Sequence, residues 1–192
     1  MARPLSEEKR NALLAAAIDA VASSGVAAST LKIAKDAGVA EGTLFRYFPT
    51  KDDLLNQLYL DLKSDLMGFL TADYPADAGI EAQFQHLWSR FIDWGMSSPD
   101  KRKALRQLDV SDKITEASQE ASQAMFYNLQ RMVEKGFETG VLRDQPILFL
   151  WGIIQGLADL VLETASRNPA KIDRCKQLGW ETLWGAIARR QA

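Results

Sequence analysis

Apolar residues recur along this 192-residue chain at intervals of three and four, the spacing at which an α-helix returns side chains to one face. Strand-like alternation is rare. Ser6 is placed to cap a first helix, with Glu7 and Glu8 favouring its positive end and Leu14, Ile18 and Val21 forming its apolar stripe. Ser23, Ser24 and Gly25 close it. Two short helices follow. Thr30 can cap the first, whose Ile33, Ala34 and Ala37 share a face, after which Gly38 supplies a left-handed turn residue and Val39 packs back. The second fits residues 41–48, with Leu44 and Phe48 inward, and Pro49 stops it. A long helix opens at Lys51, turns Leu54, Leu55, Leu58, Tyr59, Leu62 and Leu66 inward, and runs to about residue 70 before a loop at 73–79. Further helical periods cover 80–96, 101–110, 114–138 and 147–165, and a last one runs from Asn168-Pro169 to Arg190. About nine helices and no convincing sheet predict an all-α protein.

Composition narrows the class. An apolar fraction of 47% and a mean hydropathy of −0.17 suit a soluble protein with a substantial core. No apolar run approaches the ~20 residues needed to cross a bilayer. The longest, 147–158, is interrupted by Gly152, Gln155 and Gly156. The N-terminus lacks the apolar core of a signal peptide, and Cys175 is the single cysteine, so we expect a cytoplasmic protein with no intramolecular disulfide and no membrane partner. The net charge of −2 speaks against a nucleic-acid partner, but its distribution does not. Residues 1–51 hold seven basic and five acidic side chains, and the remainder hold sixteen and twenty. A mildly basic head on an acidic body fits a DNA reader with a separate second domain. The expected division is a head at 1–50 and a body at 51–192.

Residues 30–51 read as two short helices joined by a tight turn, the unit that places a helix in the DNA major groove. Their wording is specific: Ile-Ala-Lys-Asp-Ala-Gly-Val-Ala-Glu-Gly-Thr-Leu-Phe-Arg-Tyr-Phe-Pro-Thr-Lys-Asp-Asp-Leu-Leu. This resembles the signature of the TetR/AcrR family of bacterial transcriptional regulators over about residues 7–67. The resemblance implies a three-helix DNA-binding head, a fourth helix linking it to the body, dimerisation through the last two helices, and most often repression. A homodimer would set two heads in successive major grooves, roughly 34 Å apart, on a palindromic double-stranded operator.

Contacts to DNA divide into those that position and those that specify. Thr30, Lys32, Tyr47 and Lys51 are the phosphate candidates by chemistry, and Thr30, Tyr47 and Lys51 match family positions of that role. Glu41, Gly42, Thr43 and Arg46 fall on or near the exposed side of the second short helix. Arg46 can bind guanine bidentately, worth roughly 1–3 kcal/mol of discrimination, or contact a phosphate. Two residues depart from the family pattern. Leu31 stands where many members have Arg, and Phe45 replaces the frequent Tyr, keeping the ring without its hydroxyl.

The body is rich in rings. Tyr59, Met67, Phe84, Trp88, Phe91, Met125, Trp151 and Ile154 are expected to line an apolar cavity for a small hydrophobic or aromatic ligand. The segments at 90–95, 104–108 and 180–184 are similar to multidrug-efflux regulators of the RamR kind, which implies a pocket at Tyr59, Phe84, Trp88, Phe91, Trp151 and Ile154, the last two departing from that pattern. Gly152 and Gly156 permit close approach of another helix, and Leu183, Trp184 and Ile187 offer an apolar stripe, giving the expected dimer contacts unless both faces pack within one subunit. His86 is the single histidine, and no metal-ligand spacing, phosphate loop or nucleophile motif is present. No enzyme, metal or cofactor is therefore expected. The alternatives are an activator of the same fold and a hydrophobic-ligand-binding or interaction protein that does not meet DNA.

Overall fold

The computed structural model describes residues 6–189, which form ten α-helices and no strand. They divide into two compact units, one of residues 6–65 with 98–125 and one of 66–97 with 126–189. This packing division differs from the expected break at residue 50: the body segment 98–125 clusters with the head.

The first unit opens with α1 (Glu7–Ser24), where the Ser6 hydroxyl accepts from the Lys9 N–H. Helix α1 packs against both α2 (Thr30–Asp36) and α6 (Pro99–Asp109), so its buried residues exceed one stripe. Leu13, Leu14, Ala16, Ala17, Ala20 and Val21 are all buried, and the small alanines let neighbouring backbones approach. Helix α2 in turn packs on α3 (Glu41–Tyr47). Helix α4 (Lys51–Thr71) gives its first part to this unit, burying Leu54, Leu55, Leu58 and Leu62. Its start is fixed by a reciprocal cap: the Asp53 N–H donates to Thr50 Oγ1 at 3.1 Å and the Thr50 N–H donates to Asp53 Oδ2 at 2.9 Å. Asn56 holds the loop before α7 (Glu116–Met125), donating to the Lys113 carbonyl at 2.8 Å and accepting from the Thr115 N–H at 2.9 Å.

The second unit contains the end of α4, α5 (Ile80–Ser97), α8 (Tyr127–Glu138), α9 (Ile147–Arg167) and α10 (Ile172–Ile187). Helices α9 and α10 pack together, and α5 lies against both. Their core includes Phe84, Trp88, Ile92, Val133, Leu150, Val161, Leu162, Trp180, Leu183 and Ile187. The Trp88 indole N–H donates to the Lys176 carbonyl at 2.9 Å, and the Trp180 and Trp184 rings stack at 5.3 Å. Arg143 closes the far end of α10 by donating to the Gly185 and Ala188 carbonyls at 2.9 and 2.8 Å. His86 lies 3.1 Å from the Leu70 carbonyl and edge-on to Tyr74, a role in holding the end of α4.

Two expectations about elements need correction. The helix expected at 114–138 is two, because the backbone breaks at Phe126 (φ −95°, ψ 6°), where the chain passes from one unit to the other. The cap of α2 is Ser29, whose hydroxyl accepts from the Lys32 N–H at 3.4 Å, while Thr30 is already the first helical residue. The last helix ends at Ile187, and Arg190 lies outside the described residues.

Candidate nucleic-acid interface

The turn between α2 and α3 follows from one residue. Gly38 has φ +70°, a region where a Cβ would clash with the backbone, and its N–H donates to the Lys35 carbonyl at 3.0 Å. The next N–H, of Val39, reaches back to the Ala34 carbonyl at 2.9 Å, which closes α2 and turns the chain into α3. Ile33 and Ala34 from α2 and Leu44 from α3 are buried at 1%, 0% and 0% exposure, with α2 packed on α1 and α3 packed on α2. Phe48 leaves the helix with φ −132° and ψ 100°, as a residue before proline must.

With Leu44 fixed inward, the opposite face of α3 is open. Gly42, Phe45 and Arg46 are exposed there, while Glu41 and Thr43 are half-buried. Nothing lies within 4 Å of where a Gly42 side chain would start, so a ligand surface can approach the backbone at that point. Arg46 and Lys51 make no ion pair among the described residues, and Lys51 stands at the first turn of α4, whose amides add positive potential. Lys32 is paired with Asp36 across one turn; both side chains are well exposed, and such a pair contributes only about 0.3–0.5 kcal/mol.

Two polar contacts define what the remaining hydroxyls offer. The Ser6 N–H donates to the Tyr47 hydroxyl oxygen at 2.9 Å, which steadies the ring and leaves its own O–H proton available to an acceptor such as phosphate. The Thr30 hydroxyl, by contrast, donates to Glu41 Oε1 at 2.6 Å. Its proton is engaged, so Thr30 positions α2 against α3 in the free protein, and phosphate would have to displace Glu41 to receive it.

The residues expected to line one ligand cavity are shared between the two units. Tyr59 and Met125 belong to the first unit and the other six to the second. Phe84 and Trp88 are 4% and 3% exposed and pack in the second core, with Phe84 against Trp184 at 6.3 Å between ring centres. Met125 and Trp151 lie at the surface, 36% and 39% exposed. Met67, Phe91 and Ile154 are half-buried. A groove of about 250 Å³ between α5 and α10 is lined by Trp88, one of the expected cavity residues, together with Gln85, Ser89, Asp173, Lys176, Gln177 and Trp180.

The dimer residues divide differently. Leu183 and Ile187 are 1% and 0% exposed within their own subunit and have no surface to offer a partner, which corrects that expectation. Trp184 is half-buried and stacked on Trp180. Gly152 and Gly156 are exposed, and no atom lies within 4 Å of an added side chain at either. They sit in a stripe not anticipated from the sequence: Leu148, Phe149 and Leu160 on α9 are 81%, 60% and 60% exposed, and Leu178 on α10 is 46%. The spacing 149, 152, 156, 160 is one helical face, and it was legible in principle, because α9 is apolar on more sides than its own core uses. By length and composition α9 alone among the described helices reaches what a membrane span needs, yet Ala158, Val161, Leu162 and Ala165 are buried against protein.

Comparison with known proteins agrees with this geometry. Residues 13–58 match the family model of bacterial regulatory proteins of the tetR family. An uncharacterised HTH-type transcriptional regulator of Haemophilus influenzae is 32% identical over 81 residues, 42% of this chain and 43% of that protein. The fatty acid metabolism regulator protein of Bacillus subtilis is 25% identical over 167 residues, covering 84% of this chain and 85% of the relative. The chain thus spans less than half the length of the first relative and most of the second. A tetR family transcription regulator from Shewanella superposes with a TM-score of 0.84 at 25% identity, over 95% of this chain and 99% of that one. The matched segment, residues 13–58, is the one that builds the turn at Gly38 and the open face of α3, and that segment belongs to the TetR family of bacterial regulatory proteins.

Proposed function

We propose that this protein is a homodimeric, cytoplasmic repressor that reads a palindromic operator and leaves it when the body takes up a hydrophobic or aromatic small molecule. One observation carries the DNA-reading part. Helix α3 is held by Leu44 with Gly42 and Arg46 outward, flanked by the free proton of Tyr47 and the ammonium of Lys51. Residues 1–50 meet DNA in this reading, and 51–192 serve the ligand and the dimer. Arg46 reads a base edge, Thr43 and Gly42 permit close approach, and Lys32, Tyr47 and Lys51 hold phosphates.

Dimerisation is supported by the apolar stripe on α9 and α10. Burying a leucine or phenylalanine side chain contributes roughly 1.5–3 kcal/mol, and Leu148, Phe149, Leu160 and Leu178 are largely uncovered in the single chain. Gly152 and Gly156 between them let a facing helix come close. The ligand class is supported by the half-buried Met67, Phe91 and Ile154 and by the name of the Bacillus subtilis relative, a regulator of fatty acid metabolism. Release is a linkage effect: a ligand lowers operator affinity by its preference for one of two conformations. Helix α4 is continuous through residues 51–65 of one unit and 66–71 of the other, so its backbone hydrogen bonds are the lever.

Replacing Leu160 by Glu tests the assembly. It sets like charges in an apolar contact, and sedimentation should show monomer with operator affinity reduced at least a hundredfold. A variant that remains dimeric, or a monomer that binds the operator as tightly as wild type, contradicts the reading.

A further inference from the structure

Two of the exposed apolar side chains of the first unit stand inside the helix-turn-helix itself: Leu31, 62% exposed, and Phe45, 39% exposed. Neither serves the core, which Ile33, Ala34, Leu44 and Phe48 already fill. Their placement is fixed. The Thr30–Glu41 hydrogen bond ties the first residue of α2 to the first residue of α3. Leu31 follows Thr30 directly, and Phe45 lies one turn beyond Glu41, on the exposed side with Gly42 and Arg46.

We propose that Leu31 and Phe45 select thymine through its C5-methyl group, so that each half-site carries thymines beside the base read by Arg46. This rests on the DNA-reading proposal above and is continuous with the same surface. The thymine methyl is the apolar group that the major-groove edges of the four bases present, and it is a good partner for an apolar side chain. Discrimination works in both directions. Against a leucine or a phenyl ring, the cytosine or adenine amino group, or the guanine O6 and N7, loses water without gaining a hydrogen bond. The ring of Phe45 has no hydroxyl to offer a phosphate, and Leu31 no charge, so apolar contact is the recognition their chemistry supports. Helices α2 and α3 then read a mixed pattern, with Arg46 for a guanine edge and Leu31 and Phe45 for methyls.

Deoxyuridine tests this cleanly, because replacing dT by dU deletes the methyl group and leaves every hydrogen-bonding edge intact. Each thymine of an operator selected from random DNA would be replaced in turn, in both half-sites, and affinities measured for wild type, Leu31→Ala and Phe45→Ala. Both positions are exposed, so the variants should keep the fold, which circular dichroism verifies. The expected result is a loss of about three- to fivefold per half-site at each of two thymines, the scale of one buried methyl group. That loss should vanish at one thymine in Phe45→Ala and at another in Leu31→Ala. Tight operator binding that is indifferent to dU throughout overturns this proposal and leaves the DNA-reading function standing. The same holds if the dU penalty persists undiminished in both variants. Failure of the folded protein to select any operator overturns the function and this proposal together.

Discussion

Arg46 and Lys51 are both cations without an ion-pair partner among the described residues, yet they sit differently. Arg46 lies on the open face of α3, and Lys51 at the first turn of α4. A guanidinium on a base edge is worth most against one base, whereas an ammonium on phosphate is indifferent to sequence. Arg46→Ala should therefore cost roughly 1–3 kcal/mol on the preferred operator and relax one position of it. Lys51→Ala should weaken all sequences alike and reduce the salt slope by about one. Binding measured on matched and single-substituted operators at several salt concentrations separates the two. A uniform loss in both variants would assign Arg46 to the backbone. At this scale the sequence was informative about identity and less so about engagement. Tyr47 and Thr30 are both hydroxyl candidates by type, but the fold separates them: the Tyr47 oxygen accepts from the Ser6 N–H and its O–H is left to donate, while the Thr30 hydroxyl donates to Glu41. Those partners are 41 and 11 residues away, beyond the reach of local pattern.

At the scale of elements, periodicity located every helix and misjudged one join. Residues 114–138 carry a continuous helical period, and Phe126 breaks it because α7 and α8 serve different compact units, a tertiary demand that no local signal announces. Gly38 was legible because a left-handed turn residue is punctuation in the sequence itself. Gly179 was not, because its reason is a neighbour. A side chain there would start 2.5 Å from the Trp88 ring and 2.7 Å from Val161, closer than van der Waals contact allows. Gly179→Ala should accordingly overpack the core of the second unit and cost about 1–3 kcal/mol in denaturant unfolding. Unchanged stability would mean that the Trp88 ring of α5 is not held against α10 at Gly179. Trp88 and Phe84, both expected at a pocket from their spacing, are buried in this core, and Trp88 also lines the groove between α5 and α10. Leu183 and Ile187 were misread for the complementary reason: α10 has two apolar faces, and these residues occupy the inner one.

At the scale of the whole molecule, the features left unsatisfied in a single chain lie on two exposed faces, one in each unit. One is the polar and apolar mixture on the face of α3. The other is the stripe of Leu148, Phe149 and Leu160 beside two open glycines on α9. The fold class and the helix-turn-helix could be read from the chain because they rest on local period, turn chemistry and one specific signature. The ligand could not, since a cavity depends on which of many buried rings fail to meet. The central claim is that the two outward faces act together, dimerisation setting two reading heads on one duplex. Selection of the purified protein against random double-stranded DNA at physiological salt tests this most directly. The account predicts enrichment of one palindrome, its half-sites centred about one helical turn apart, roughly 34 Å. A folded protein that enriches no sequence, or only a lone asymmetric half-site, would contradict it.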